Sequence, residues 1–220
     1  MYSLSEENYL KAIYHLEQQA TAEVSTNAIA ERMQTKASSV TDMIKKLADK
    51  DLLTYKKYKG VSLTDSGTRT ALRIIRKHRL WEVFLVEKLQ FKWHQVHDLA
   101  EQLEHIQSQE LVNRLDDFLG NPQYDPHGDP IPDSEGNIKR RDKKLLGQLE
   151  ANQSATCIGV KSASDDFLKY LSKNNIGIGS KLNVQEAEPF TGALTVKVGE
   201  TTLFLTKEIA NNIYVTLIKS

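Results

Sequence analysis

The sequence predicts a mainly helical chain that ends in a small β-domain, so its fold class is mainly α with an α+β part. Apolar residues recur at helical spacing from about residue 5 to about residue 119. From residue 154 onward, short segments alternate apolar and polar residues, as strands do. Four of the five prolines lie between Pro122 and Pro132, so a linker is predicted where the pattern changes.

The composition indicates a globular protein without disulfides. Hydrophobic residues make up 40% of the 220 residues, which is enough to bury real cores. No apolar run reaches transmembrane length and no signal sequence is visible, so we expect no membrane partner and a cytoplasmic location. A single cysteine, Cys157, excludes an intramolecular disulfide, and its apolar run predicts a buried strand residue rather than a metal ligand.

Charge is distributed unevenly along the chain, although the net charge is zero. From Lys36 to Lys59 seven lysines stand against three acidic residues, and from Arg69 to Arg79 there are five basic residues and no acid. From Glu82 to Asp117 the sign reverses, with eight acidic residues against three basic ones. A basic front suits an anionic partner, and an acidic middle suits a cation.

Three helices are predicted in the first 50 residues. The stretch SEENYLKAIYHLEQQ, residues 5 to 19, begins with a capping signal in which Ser5 precedes glutamates. Ser25 to Asn27 cap a short second helix, and residues 34–36 form the turn before a third helix from Ala37 to Asp49. The third helix exposes short polar and basic side chains.

Two short strands, residues 52–55 and 61–64, are predicted to flank a lysine-tipped hairpin. Three helices followed by a basic hairpin predict a winged helix-turn-helix, whose third helix enters the major groove while the hairpin contacts phosphate. An interaction module for proteins is the alternative. The residues expected to contact DNA are Thr35, Lys36, Ser38, Ser39, Thr41, Asp42, Lys45, Lys56, Lys57 and Lys59.

Further helices follow the hairpin. Thr64 to Gly67 cap a long helix that runs to about Leu89, and helices from Trp93 to Ile106 and from Ser108 to Leu119 come next. Their apolar surface exceeds what one small bundle buries, so a homodimer is predicted. A dimer would match the two half-sites of a palindromic double-stranded DNA operator.

Metal-capable side chains occupy one face of the predicted helix from Trp93 to Ile106. Residues four apart stack in a helix, so His97, Glu101 and His105 form one row, with Glu104 beside it. At a rise of roughly 1.5 Å per residue, the two histidines lie about 12 Å apart. They are too far apart to share one ion, so two sites are expected if both bind metal.

Another pair, His78 and Glu82, lies four apart on the preceding helix. Two helices that each carry such a row can meet and enclose a divalent transition metal with nitrogen and oxygen ligands. A solvated helix face is the alternative for any one of these residues.

The C-terminal part is predicted to be an SH3-like β-barrel, because five short strands lie within about 65 residues. A helix from Ser164 to Lys173 interrupts them. Asp165 and Asp166 lie at its start, where carboxylates favour the helix dipole, so capping is the alternative to a binding role for both. The predicted strands are residues 155–161, 182–187, 194–198, 202–205 and 213–217.

The motifs RKHRLWE, VHDLAEQLEH and DPHGDPIP, in this order, are specific to one family. The whole chain resembles the diphtheria toxin repressor and manganese transport regulator family of metal-activated repressors, in its long form with a C-terminal FeoA-like SH3 domain. The resemblance implies a DNA-binding domain at residues 1–65, a helical metal-binding and dimerisation domain with the proline-rich linker at 66–143, and the SH3-like domain at 150–220.

The resemblance also implies two metal sites. The primary site would use Glu101, Glu104 and His105 together with Asn8 from the first helix. The ancillary site would use a set from the middle of the chain, completed in some relatives from the proline-rich segment and the SH3-like domain. That set is His78, Glu82, His97, Asp125, His127 and Asp166.

The chain departs from the family patterns at informative positions. Iron-type members have a cysteine where this chain has Glu101, and a harder oxygen ligand favours manganese. Manganese-type members usually have an aspartate where this chain has Asn8, and short-form members have a glutamate where it has Lys11. An ammonium at Lys11 cannot ligate and would repel a second cation, so the short-form two-metal cluster is not expected. His97 matches the iron-type ancillary site.

The expected function is therefore a metal-activated repressor of metal-uptake genes that responds to Mn(II), with Fe(II) as the alternative. Zn(II), Co(II) or Ni(II) would substitute in vitro, and no small organic substrate is expected. Two other classes are a metallohydrolase and a metal-storage or scaffold protein. A hydrolase would need an open coordination position, a general base and a substrate cleft, and no such motif is visible.

Overall fold

The computed structural model describes residues 2–19, 23–56 and 60–218. The chain divides into two compact units. The first consists of Met1–His78, Glu101–Leu115 and Pro132–Ile138, and the second of Arg79–Ala100, Asp116–Ile131 and Lys139–Ser220.

The first unit is built from helices and one antiparallel hairpin. It includes α4 as far as His78, the last residues of α5, and α6 as far as Leu115. The elements are α1 (Leu4–Gln19), α2 (Thr26–Arg32), α3 (Ala37–Asp49), β1 (Leu53–Lys56), β2 (Gly60–Leu63), α4 (Asp65–Glu87), α5 (His97–Leu103) and α6 (Gln109–Phe118).

Local capping sets where the first helices begin. Ser25 caps α2, and its side chain accepts a hydrogen bond from the backbone N–H of Ala28, as the sequence predicts. The predicted cap at Ser5 is wrong. Ser3 and Glu6 instead form a reciprocal capping box, in which the Glu6 N–H donates to Ser3 Oγ at 3.3 Å and the Ser3 N–H donates to Glu6 Oε2 at 2.8 Å. The helix therefore begins at Leu4.

An apolar core holds the first three helices and the hairpin together. Leu10, Ile29, Ile44 and Leu47 are fully buried in it, because each helix turns its apolar face inward. In the hairpin, β1 pairs with β2 antiparallel from Leu53 opposite Leu63 to Lys56 opposite Gly60. The predicted winged-helix arrangement is confirmed for the described residues. The hairpin-tip lysines Lys57 and Lys59, predicted to contact DNA, lie outside them.

A buried carboxylate ties α1 to the end of α3. Glu6 Oε1 lies 2.6 Å from Lys50 Nζ and 3.1 Å from Lys46 Nζ. Burial by itself raises the pKa of Glu6, but the hydrogen bonds from Lys50, the Ser3 N–H and Lys46 outweigh it and lower the pKa from 4.5 to about 2. Ionised Glu6 is therefore stabilised by folding.

We expect Glu6→Gln to lower the free energy of unfolding at pH 7 by about 1 kcal/mol, because the lysine partners are exposed. Since folding depresses this pKa, the stabilisation is present above pH 4.5 and is lost as the pH falls towards 2. Denaturant unfolding of both proteins from pH 7 to pH 2 measures the difference. A difference that grows on acidification would contradict the assignment.

The second unit is dominated by a six-stranded antiparallel sheet with strand order β3-β8-β4-β5-β6-β7. This unit also contains a 3-10 turn at Trp93–Gln95. The strands are β3 (Lys144–Leu145), β4 (Ser154–Val160), β5 (Lys181–Ala187), β6 (Leu194–Val198), β7 (Thr201–Leu205) and β8 (Ile213–Leu217), with helices α7 (Asp165–Lys173) and α8 (Lys207–Ala210).

The sheet confirms the predicted fold class, a helical chain with a C-terminal SH3-like antiparallel domain. Leu168 and Leu171 of α7 pack into the core of this sheet. Cys157 lies there too and is fully buried, as predicted, and burial raises the pKa of its thiol to about 11. It therefore stays a thiol at neutral pH and acts as a small apolar residue.

Part of the proline-rich segment, at His127 and Gly128, packs against β4 and has a defined conformation there. The Val160 N–H donates to the His127 carbonyl at 3.0 Å, and Gly128 has a φ of 87°. A Cβ at Gly128 would lie 2.1 Å from the carbonyl oxygen of Ile158, so only glycine fits this close approach. This packing places the side chains of Asp125 and His127 inside the unit, where both are buried.

The predicted helix from Trp93 to Ile106 is wrong in extent. The structure has the 3-10 turn at Trp93–Gln95 and then α5, which ends at Leu103. Glu104 and His105 lie in the turn after α5, so the predicted single row of His97, Glu101 and His105 does not form. The reason is tertiary, since both side chains make contacts with residues far away in the sequence.

No helix in the described chain is long and apolar enough to cross a membrane.

Candidate metal centre

The first cluster of candidate ligands lies in the first unit, where α1 meets the C-terminal end of α5 and the turn that follows it. Glu101 and Glu104 both face Lys11 of α1. Lys11 Nζ lies 2.5 Å from Glu101 Oε1, and 2.7 and 2.8 Å from the two oxygens of Glu104. The Glu104 side chain is fully buried and that of Lys11 is 13% exposed. Two predicted ligands therefore converge on one cationic atom.

His105 is oriented by a second carboxylate of α1. Its Nδ1 lies 2.7 Å from Glu7 Oε2, so Nδ1–H donates to a carboxylate that is itself buried. Gln107 Nε2 donates to the other Glu7 oxygen at 2.9 Å. The remaining ring nitrogen, Nε2, then carries the lone pair and lies 3.9 Å from Glu104 Oε1. A carboxylate that fixes the tautomer of a metal-binding histidine is a common outer-shell arrangement.

His78 of α4 also belongs to this cluster. Its Nδ1 lies 2.7 Å from Glu104 Oε2 and 4.0 Å from Glu101 Oε1. Lys77 is buried beside it, donates to the Ile106 carbonyl at 3.4 Å and lies 4.0 Å from Glu7 Oε2. Burial lowers the pKa of Lys77, although the charge of Glu7 opposes the change. The resemblance assigns His78 to the ancillary set, and in the first unit it contacts a primary ligand.

Asn8 fits the fourth predicted ligand position. Its side-chain oxygen is buried and has no hydrogen-bond partner among the described residues, which is costly unless some other group satisfies it. Asn8 follows Glu7 and lies three residues before Lys11, so it shares their side of α1. A hard divalent ion would find carboxylate and amide oxygens and the imidazole nitrogens of His78 and His105 here, which are suitable ligands. The residues fit a metal.

The second cluster lies in the second unit. Glu82, Asp125 and His127 are all buried, and one ligand atom from each lies within 4.8 Å of the others. His127 Nε2 donates to the Trp93 carbonyl at 2.9 Å, and Nδ1 lies 3.5 Å from Glu82 Oε2. The imidazole is therefore oriented by the backbone, with Nδ1 towards the carboxylate. This donor set also fits a divalent metal.

Neighbouring charges shift the pKa values of two residues in the second cluster. Burial, and then the neighbouring charge of Glu82, raise the pKa of Asp125 to about 7. Burial disfavours charge on His127, but its hydrogen bond to Glu82 and the charge of that carboxylate outweigh burial and raise the pKa to about 9. Arg79 offsets part of the negative charge, since its Nε lies 3.4 Å from Asp125 Oδ2. Glu82 and Asp125 therefore bring two carboxylates together in a buried place, where His127 and Arg79 supply the compensating positive charge that a bound cation would supply instead.

Two other predicted ligands lie at the margins. His97 Nδ1 is 3.7 Å from Glu82 Oε1, but its side chain is 58% exposed. Asp166 is exposed in the first turn of α7 and is not part of the group formed by Glu82, Asp125 and His127. The roles of both residues stay predictions.

The candidate DNA surface is the outer face of α3. Val40, Ile44 and Leu47 are buried beneath it. Thr41 is partly exposed, and its hydroxyl donates to the Ala37 carbonyl at 2.9 Å. The exposed predicted contacts are Thr35, Lys36, Ser38, Ser39, Asp42, Lys45 and Lys56.

Sequence reasoning missed the role of Glu7 in this site. The first-turn glutamates of α1 were expected to serve the helix terminus, which is the usual function of acidic residues there. A signal was nevertheless present, because Glu7 and Lys11 lie four apart and flank Asn8 on one side of an amphipathic helix.

Three family models match successive segments of the chain, whereas the two compact units of the structure alternate along the sequence. The family model described as "Iron dependent repressor, N-terminal DNA binding domain" matches residues 1–61. The one described as "Iron dependent repressor, metal binding and dimerisation domain" matches residues 64–133, and a "FeoA domain" matches residues 144–217.

Individual relatives include regulators named for both iron and manganese. The chain is 34% identical to the iron-dependent repressor IdeR of Mycobacterium tuberculosis over 126 residues, 57% of this chain and 54% of that protein. The match spans about half the length of the curated relatives. A solved "Manganese-dependent transcriptional repressor complex with manganese" has a TM-score of 0.82 at 36% identity, covering 97% of this chain and 100% of that one. The manganese regulator SloR has a TM-score of 0.72 at 34% identity, covering 97% and 98%.

These matches confirm the resemblance that the sequence motifs indicate. The family consists of DNA-binding repressors and not of enzymes, so the metallohydrolase alternative is set aside. Because a solved repressor is matched over its whole length at 36% identity, the similarity extends over 97% of this chain. The chain belongs to the iron-dependent repressor family, a family of metal-dependent transcriptional repressors that includes the diphtheria toxin repressor and manganese-dependent members.

Proposed function

We propose that this chain is a homodimeric, Mn(II)-activated repressor that binds a palindromic operator in genes for metal uptake. Fe(II) is the alternative activating metal. The primary site would be held by Glu101, Glu104 and His105 with Asn8. A second site would be held by Glu82, Asp125 and His127.

One observation carries the proposal. The predicted primary ligands contact α1 of the winged helix directly, through Glu7 to His105 and through Lys11 to Glu101 and Glu104. A bound divalent ion would supply positive charge that several carboxylates share at once. By sharing a ligand set, Asn8 and the residues after α5 would fix the position of α1, and therefore of α3, in a DNA-competent arrangement.

The energy required is modest. Converting a population that is mostly incompetent into one that is mostly competent takes about 5.5 kcal/mol of differential affinity. Apparent binding free energies of structural Zn²⁺ in zinc-finger peptides are about 10–16 kcal/mol, so about half of that range suffices, although Mn²⁺ binds a given set of ligands more weakly than Zn²⁺.

The choice of manganese rests on ligand chemistry. Glu101 supplies an oxygen where iron-type members of the family have a thiolate, and oxygen ligands suit Mn(II). The names of relatives do not distinguish the two metals, since IdeR is called an iron-dependent repressor and a solved relative is called a manganese-dependent one. Asn8 and His97 are the residues that favour the iron alternative.

The test measures binding to the protein's own promoter region by fluorescence anisotropy, anaerobically, with metal-free protein titrated separately by Mn(II) and Fe(II). The proposal expects activation at a lower free concentration of Mn(II). Activation at a lower concentration of Fe(II) would establish the alternative. Binding that ignores both metals would overturn metal activation.

The basic residue Lys45 is exposed on α3 next to the proposed groove-facing residues. We expect Lys45→Ala to weaken binding to operator and unrelated DNA about equally, and to reduce the slope of log K against log salt by about 1. Anisotropy at several salt concentrations measures both quantities. An unchanged salt slope, or a loss confined to the operator, would contradict a phosphate contact.

A further inference from the structure

Lys11 occupies the place where a cation is expected. Both oxygens of Glu104 lie within 2.8 Å of Lys11 Nζ, and Oε2 also lies 2.7 Å from His78 Nδ1. Glu101 Oε1 lies 2.5 Å from the same ammonium. Lys11 is thus a positive charge held between two predicted ligands of one ion.

A divalent ion and the ammonium of Lys11 would compete for these oxygens. Coordinating oxygens approach such an ion to about 2 Å, and they need the lone pairs that now accept from Lys11. Two cations a few ångströms apart also repel each other, and little water screens them where Glu104 is fully buried and Lys11 is 13% exposed.

The ammonium also has a favourable effect in metal-free protein. Without it, the buried Glu104 would keep its contact with His78 but would face Glu101 with no ammonium between the two carboxylates, and removing one partner of a buried ion pair is strongly destabilising. Lys11 therefore keeps the two carboxylates together in the absence of metal.

We infer that Lys11 is a tethered competitor for the metal, which preserves the ligand arrangement in metal-free protein and raises the metal concentration needed to fill the site. The inference rests on the proposed function, because it assumes that Glu101 and Glu104 bind the activating ion. It predicts two opposite effects of removing the charge. Metal binding becomes stronger, while the metal-free fold becomes less stable. A lysine with a purely structural role would weaken both.

The experiment compares a reference protein that keeps Lys11 with its Lys11→Met and Lys11→Gln variants. Calorimetric titration measures Mn(II) binding, and thermal unfolding without metal measures stability. Lys11→Gln keeps hydrogen-bond donors in the site and is the milder change. Each protein also carries His127→Gln to weaken the second cluster. The matched control is Lys50→Met. Lys50 Nζ lies 2.6 Å from Oε1 of Glu6, which like Lys11 belongs to α1, so the variant removes an ammonium from a buried carboxylate that is not a predicted ligand.

We expect both Lys11 variants to bind Mn(II) with a Kd lower by about tenfold or more, to unfold at a lower Tm without metal, and to gain more Tm on adding Mn(II). Lys50→Met should lower the Tm and leave the Kd unchanged. If the reference protein binds Mn(II) and the Lys11 variants bind it equally well or more weakly, this inference is overturned while the proposed function stands. Binding by the variants only would support it, and binding by none of the proteins would overturn the proposed function as well.

Discussion

A Glu104→Ala variant is expected to lose metal-dependent operator binding while it remains a dimer. Glu104 is the most deeply buried carboxylate of the first cluster, and it contacts both Lys11 and His78. Its loss removes a proposed ligand, so the affinity for Mn(II) should fall by roughly 100-fold or more. The DNA-competent arrangement would then lose its metal-dependent preference.

Anisotropy with and without Mn(II) measures operator binding, and analytical ultracentrifugation measures dimerisation. Glu104→Gln keeps the volume of the side chain and separates loss of ligation from loss of packing. Glu110→Ala is the matched control, since that carboxylate is 73% exposed on α6 and pairs only on the surface with Arg114. A Glu104→Ala protein that still responds to Mn(II) would refute the proposed primary site.

The second large effect is expected for Glu7→Gln, a residue that motif comparison does not single out. The Glu7 carboxylate accepts from His105 Nδ1 at 2.7 Å and so leaves Nε2 with the lone pair. A neutral amide holds the imidazole less strongly and can present N–H to Nδ1, which permits the wrong tautomer. The affinity for Mn(II) should fall by about 10- to 100-fold.

The neighbouring variant Glu6→Gln is the control for this effect. Glu6 is also buried in α1, but it pairs with Lys46 and Lys50 on the side of α3. It should lower stability without changing the affinity for Mn(II). If Glu7→Gln reduces stability alone, like Glu6→Gln, then Glu7 does not orient a metal ligand.

Much of the secondary structure could be predicted from the sequence. The third helix, Ala37–Asp49, has the predicted limits, and the Ser25 cap and the strands of the C-terminal domain are close to prediction. These features depend on contacts within a few residues, such as a capping side chain or the spacing of apolar positions. The end of α5 is the main error. The helical spacing of side-chain types in the sequence continues past Leu103, whereas the helical backbone ends there.

The sequence by itself determined the kinds of side chain in the two clusters and indicated the family to which the chain belongs. The sequence also has a lysine at position 11, and because its ammonium cannot bind a metal ion, a two-metal cluster of the short-form type is not expected. Only the tertiary structure decided which side chains meet. His105 joins Glu7 across 98 residues of sequence, and Lys11 joins Glu104 across 93. Such pairings depend on how buried surfaces pack, and they overrode the local helical preference that would have aligned His97, Glu101 and His105.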